Sequence, residues 1–276
     1  MARMKQLLIH ITPAKKFIGE DSPAVKIQID NSLSLGWKRE DIMLVTNFRF
    51  EYNGVRSIFV EDSCFCDFYP PGSKYKTILN LYGHGIFQKD EIYWLHDMDC
   101  YQAEHIDDKE VVFDGVDMAL TDYGYQDRWS TGSIWFRESA RDIFEAANYV
   151  MHKYKTGDEQ ALMAVTNRTS EKVATKFKLY YKPEDIPEVK NLDTRIRKLN
   201  KSYNFSFVRL KKCYEDSIKP LKVVHFHLGG NAWANKKLPK FLLEGKLRTF
   251  MYGENELKKV LMPNRLIKIF RYHRIV

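Results

Sequence analysis

The chain has 276 residues, 44% of them apolar and 29% charged, which suffices for one large or two small domains and excludes a low-complexity or disordered protein. No run of about 18 apolar residues is present, so no stretch reads as a membrane span. The net charge of +8 is unevenly placed: residues 190–276 carry 21 Lys/Arg against 6 Asp/Glu, whereas residues 1–189 carry 23 against 30.

In chain order, residues 6–11 predict a first strand. They are read as a strand rather than a leader because the apolar part is short and Thr12-Pro13-Ala14-Lys15-Lys16 follows directly. Residues 24–35 have helical spacing (Val25, Ile29, Leu33) and stop near Gly36. Residues 41–47 and 55–60 predict two short strands, and Pro70-Pro71-Gly72 breaks the chain before a helix over 74–82. Residues 91–96, 116–120 and 133–136 predict further strands. Residues 138–153 predict a long amphipathic helix and 158–166 a shorter one.

Alternating strands and helices predict an α/β fold with a mainly parallel, mixed sheet sandwiched by helices. Residues 180–222, basic and broken by Pro183, Pro187 and Pro220, are expected as an irregular excursion, after which 222–226 return as a strand. The domain reading is a catalytic unit over 1–235, followed by a basic, aromatic C-terminal extension over 236–276. Cys64, Cys66, Cys100 and Cys213 fit neither a zinc site nor a dense disulfide framework, which points to reduced thiols and the cytoplasm.

The segment richest in chemistry is Ile92-Tyr93-Trp94-Leu95-His96-Asp97-Met98-Asp99, an apolar run ending in two carboxylates. A chain of this composition holds about one Asp-x-Asp by chance, so the context decides. A strand that delivers two acids to the carboxyl edge of a sheet suits a divalent cation held against a diphosphate. A second apolar strand, Lys222-Val223-Val224-His225-Phe226, ends near Gly229-Gly230. An imidazole can complete a metal site begun by carboxylates, and paired glycines let backbone N–H groups approach a phosphate. A lone histidine in such a strand is otherwise a hydrogen-bonded core residue. Ser130-Thr131-Gly132 precede a buried strand, where they would face a sugar or simply turn the chain. Asp158-Glu159 open a helix, where an acid is favourable for capping alone.

Together these segments resemble the metal-dependent nucleotide-sugar glycosyltransferases of the GT-A (Rossmann-like) fold, especially the glycogenin and bacterial lipopolysaccharide galactosyltransferase group. That group has an Asp-x-Asp after an apolar strand (Asp97, Asp99), an Asn-Ser-Gly before a strand (loosely Ser130-Thr131-Gly132), an acid-Gln pair opening a helix (Glu159-Gln160) and a Lys-Val-Val-His-Phe strand (222–226). The order agrees across most of residues 5–235. The family continues with Lys-Pro-Trp; here Asn231-Ala232-Trp233 stands at that offset, with Lys236 and Lys237 nearby. This departure leaves the diphosphate clamp and the retaining outcome of the glycogenin group open.

The resemblance implies a UDP-sugar donor and Mn²⁺ or Mg²⁺ held by Asp97, Asp99 and His225. It implies that Asp158 or Glu159 faces the sugar as an orienting group or base. Ile11, Thr12 and Pro13 would cradle the base and ribose, and Lys74 or Lys76 would approach a phosphate. Met98, Ser130, Thr131, Gly132, Gly229, Gly230 and Trp233 complete the expected donor site.

For the acceptor, the basic stretch over 190–276, with Trp233, Phe241, Phe250, Tyr252, Phe270 and Tyr272 interleaved, points to a polyanion. DNA bearing 5-hydroxymethylcytosine, as in phage DNA, is the favoured expectation. A lipid-linked or lipopolysaccharide glycan at a membrane surface and a viral coat protein are the competing acceptors. A nucleic-acid-binding protein without catalysis is the reading from another class, and a metal-dependent nuclease would need more acids around paired metals.

Overall fold

The computed structural model describes residues 3–18, 21–123, 128–166, 192–206 and 215–225. The main sheet begins with β1 (Arg3–His10), β2 (Ile42–Thr46), β3 (Glu51–Tyr52), β4 (Val55–Phe59) and β5 (Glu91–His96). It continues through β7 (Met118–Asp122), β8 (Trp129–Phe136) and β9 (Ile196–Lys198). These eight strands lie in the order β3-β4-β2-β1-β5-β8-β7-β9. A smaller sheet has the order β10-β11-β6, from β6 (Cys100–Gln102), β10 (Phe205–Ser206) and β11 (Val223–His225). The helices are α1 (Asp21–Ser34), α2 (Ser73–Gly83), α3 (Arg141–Tyr154) and α4 (Asp158–Val165).

Apart from the β3–β4 hairpin, the first half is parallel, with β1 pairing in parallel with both β2 and β5, and β2 with β4. β8 runs antiparallel to β5 and β7, which makes the sheet mixed. Side chains alternate across β1 with a period of two. Leu7 faces Val45, Leu95, Tyr75, Ile78 and Phe144, the core under α2, α3 and α4. Leu8 faces the other way, onto Val25, Ile29, Ile42 and Leu44 beneath α1. Burial of both sheet faces explains why β2, β7 and β8 are buried at every residue rather than at alternate ones. Trp94 of β5 and Trp135 of β8, both fully buried, stack with centroids 5.5 Å apart, a contact worth about 0.5–1.5 kcal/mol beyond its burial.

Successive strands step from β1 out to β2 and β4, and the chain then returns to the other side of β1 as β5. The strand order therefore switches between β1 and β5. Crevices outside the carboxyl ends at such a point are where open α/β sheets bind ligands. Ile11-Thr12-Pro13 leave β1, and Asp97-Met98-Asp99 leave β5, at that edge.

Four elements differ from expectation. Ser130, Thr131 and Gly132 lie inside β8, which starts at Trp129, and not in a turn before it. They read as a turn because they are small and polar, but packing on both sides buries them. Residues 192–206, placed in an irregular excursion, supply β9, which extends the main sheet beside β7, and β10, which pairs with β11. Strands of two or three residues are too short to show a period. β6 was likewise not expected. The β3–β4 hairpin turns on Asn53 and Gly54, both at positive φ (48° and 78°), as a two-residue turn demands. Gly229, Gly230, Trp233 and the expected extension over 236–276 lie outside the described residues.

Candidate active site

The turn after β5 is pinned from several sides. The Asp97 amide donates to the Gly132 carbonyl at 2.9 Å, and the Cys100 amide donates to the Asp97 carbonyl at 3.0 Å, closing the turn. From α1, the Gln28 side-chain amide donates to the Met98 carbonyl at 3.0 Å and also to the Cys100 carbonyl. Met98 itself packs against the apolar cluster beneath α1.

β6 then pairs antiparallel with β11, setting His225 directly opposite Cys100. This register brings an imidazole more than a hundred residues away to the acids: His225 Nε2 lies 3.3 Å from Asp99 Oδ1. Gly132 leaves room for the ring. A Cβ at position 132 would sit 2.1 Å from His225 Cε1 and 2.4 Å from Nδ1, closer than any side chain tolerates. The local irregularity of β8 supports this approach. Leu120 pairs with Ile134 and the next residue, Thr121, pairs with Ser130, so Thr131, Gly132 and Ser133 bulge away from β7 toward the site.

Burial opposes protonation of His225, but Asp99 and then Asp97 outweigh it and hold the ring pKa above its ordinary value. The local potential thus favours a cation. Among the described residues, Asp99, Cys100 and His225 offer donor atoms that all lie within 4.8 Å of one another. The residues therefore fit a divalent metal at Asp99 and His225, with Gly132 providing the clearance. The carboxylate of Asp97, expected as a ligand, is drawn elsewhere, and its Oδ1 accepts from Lys74 Nζ at 2.9 Å.

Lys74, at the start of α2, is buried and its ammonium meets three acceptors. They are Asp97, Asp158 Oδ2 at 2.8 Å and the Thr131 carbonyl at 3.2 Å. Its charge is committed to carboxylates rather than offered to a phosphate. Burial pulls its pKa down, but the two aspartates hold it well above the ordinary lysine value. Lys76 points to the other side of α2, where its charge acts on Cys64, Cys66 and His152. It is not part of this site. The two lysines are two residues apart, which puts them on opposite faces of a helix.

Asp158 opens α4 and is fully engaged. It accepts from Lys74, from the Thr131 hydroxyl at 2.7 Å, from the Tyr69 hydroxyl at 3.0 Å and from the Glu159 amide at 2.9 Å. Burial alone would raise its pKa, but Lys74 and these donors hold it below the ordinary carboxylate value. Glu159 faces another way. It accepts from the Tyr123 hydroxyl at 2.5 Å and from Arg128 Nε at 2.7 Å, and burial leaves its pKa raised despite Arg128. Ser130 is buried and accepts from Asn204 at 2.8 Å. At the exit of β1, Asn47 grips Thr12 twice, accepting from its amide at 3.0 Å and donating to its carbonyl at 2.8 Å.

Sequence reasoning missed Tyr69, Cys100, Tyr123 and Arg128. Cys100 directly follows the acids and Tyr69 directly precedes the Pro70-Pro71 break, and adjacency was the only signal either carried.

No protein-family model and no curated protein sequence matches the chain. Solved structures are similar to it. An active-site mutant of LgtC superimposes with a TM-score of 0.52 at 11% identity, over 87% of this chain and 95% of that chain. The glycosyltransferase GlyE of Streptococcus pneumoniae TIGR4 gives a TM-score of 0.51 at 11% identity, over 91% of this chain and 65% of that chain. At such identity the likeness concerns architecture. With its mostly parallel sheet, its strand switch and its helices on both faces, this chain has the GT-A fold of glycosyltransferases.

Proposed function

We propose that the chain is a metal-assisted glycosyltransferase that moves a sugar from a UDP-sugar to a hydroxyl acceptor. The observation carrying this reading is the Asp99–His225 pair, 3.3 Å apart in a space cleared by Gly132 at the strand switch. GlyE, a glycosyltransferase, and LgtC have the same fold.

Glycosyl transfer passes through an oxocarbenium-like transition state as the nucleoside diphosphate departs. Asp99 and His225 would hold Mn²⁺ or Mg²⁺, which when bound supplies Lewis-acid stabilisation of the departing diphosphate. The protein's own groups do the rest. Asp158, saturated by four donors, cannot readily take a further proton and serves to orient. Glu159, with a raised pKa, is the better proton acceptor of the two, because a base works best when its pKa approaches the working pH. Lys74 ties the turn after β5 to the start of α4, so the metal side and the sugar side keep a fixed separation. Ile11, Thr12 and Pro13 would cradle the base and ribose of the donor, and Asn47 clamps Thr12 among them.

The proposed acceptor is 5-hydroxymethylcytosine in DNA. The excess of Lys/Arg over 190–276 and the interleaved aromatics support it. The test is incubation with Mn²⁺, a panel of UDP-sugars and duplex DNA containing either hydroxymethylcytosine or cytosine. Transfer to the hydroxymethylated duplex alone would support donor class and acceptor together. Donor hydrolysis without transfer would keep the enzyme class and reject this acceptor, directing attention to a glycan or coat-protein hydroxyl. DNA binding with no turnover of any donor would favour the non-catalytic reading.

A further inference from the structure

Asp99, Cys100 and His225 form a donor set of one carboxylate, one thiol and one imidazole, and Asp97 stands outside it, held by Lys74. We propose that Cys100 is a metal ligand and that this centre selects a thiophilic divalent cation, Zn²⁺ before Mn²⁺. The proposal rests on the reading that places a cation at Asp99 and His225.

The geometry of the pair suits a small cation. With metal–nitrogen and metal–oxygen bonds of about 2.0–2.2 Å, a 3.3 Å separation of Nε2 and Oδ1 subtends about 105°, close to tetrahedral. Cys100 is the third corner by construction of the sheet. It faces His225 directly across the β6–β11 pair, and residues so opposed hold their side chains on one face. Asp99 is half-buried, so its exposed side can admit an oxygen of a ligand at a fourth position. A carboxylate-only centre would prefer Mn²⁺ or Mg²⁺, whereas thiolate sulfur shifts preference to softer ions.

Coordination replaces the sulfur–hydrogen bond with a sulfur–metal bond and releases one proton to solvent. At present the Cys100 thiol donates to the Gly132 carbonyl at 2.9 Å. Losing that donor does not orphan the carbonyl, which also accepts from the Asp97 amide at 2.9 Å. The exchange also gives up the longer contact from the thiol to Asn204 Oδ1, at 4.0 Å.

The test is titration of the full chain with Co²⁺, followed by absorption spectroscopy. A near-ultraviolet sulfur-to-cobalt charge-transfer band in the wild type, lost in Cys100→Ser while the visible cobalt bands remain, supports the proposal. Because second-shell losses already cost about 10–100-fold in affinity, losing this ligand should weaken Zn²⁺ binding by at least about 10-fold and Mn²⁺ binding far less. X-ray absorption on the wild-type Zn²⁺ protein needs no variant, and should show a sulfur neighbour at about 2.3 Å. Visible cobalt bands without a charge-transfer band, or a band that persists in Cys100→Ser, overturn the Cys100 assignment and leave the Asp99–His225 centre standing. No cobalt bands at all would overturn both.

Discussion

The His225 imidazole occupies the volume in which a side chain at position 132 would grow, 2.1 Å from the nearest ring carbon. Backbone and ring are thus fitted to each other across two sheets. Gly132→Ala forces the ring or β8 to move. It should cost about 1–3 kcal/mol of stability, as overpacking does. It should also lower divalent-metal affinity by about 10-fold or more, because it displaces the ligand itself and not merely its support. Calorimetric titration with Mn²⁺ and Zn²⁺, alongside urea unfolding, separates the two effects. Unchanged metal affinity in a folded Gly132→Ala protein would remove His225 from the centre.

Lys74 and Asp158 form a buried ion pair at 2.8 Å, and Lys74→Met would leave Asp158 charged and without its cation. Breaking one side of such a pair costs about 3–5 kcal/mol. Asp158→Asn combined with Lys74→Met should cost clearly less than the sum of the single changes, because the second change removes the charge stranded by the first. Additive losses in urea unfolding would mean that the pair is not coupled as the geometry says.

Much of this site was legible in sequence, for identifiable reasons. An apolar run ending in Asp97 and Asp99 declares a buried strand with polar business at its end, and Lys222-Val223-Val224-His225 declares a second one. What joins them was not legible. β6 has three residues and β10 two, too few for a period, yet their pairing with β11 is what carries His225 to Asp99. Ser130-Thr131-Gly132 look like a turn because the groups that cover them, Lys74, Asp158, Asn204 and His225, are remote in sequence. Lys74 was expected at a phosphate because a lysine near acids reveals nothing of its partners until the fold closes around it.

His96 stands at the end of β5, buried, with its Nε2 2.7 Å from the Gln6 side-chain nitrogen and its Nδ1 3.1 Å from the Asp97 carbonyl. The amide donates to Nε2 and Nδ1–H donates to the carbonyl, so the ring is neutral. Burial pushes its pKa down to about 4. As pH falls, the unfolded chain takes up this proton first, at about pH 6.5. The contribution of His96 to stability is therefore full above about pH 6.5 and is lost progressively down to about pH 4, a loss of about 3 kcal/mol. Metal-free urea unfolding from pH 7 to pH 4 should show a steeper decline for the wild type than for His96→Gln. Parallel profiles would show that the folded ring takes up its proton as readily as the unfolded one.

Asp97 and Asp99 are one residue apart in the same turn, but the structure divides their labour, and paired substitutions should reveal it. Asp99 Oδ1 faces His225, whereas Asp97 Oδ1 faces Lys74. Asp99→Asn removes a charged donor from the cation's position, so metal affinity should fall by about 10-fold or more and turnover of a UDP-sugar should fall with it. Asp97→Asn instead takes one charged acceptor from a buried ammonium that keeps Asp158. Its main effect should be a loss of stability of about 1.5–3 kcal/mol, the range for a hydrogen bond to a charged group. Metal affinity should weaken less in Asp97→Asn than in Asp99→Asn, and stability should follow the reverse order. Equal losses of metal affinity in the two variants would mean that both carboxylates ligate, and that the Lys74 contact gives way when the cation binds.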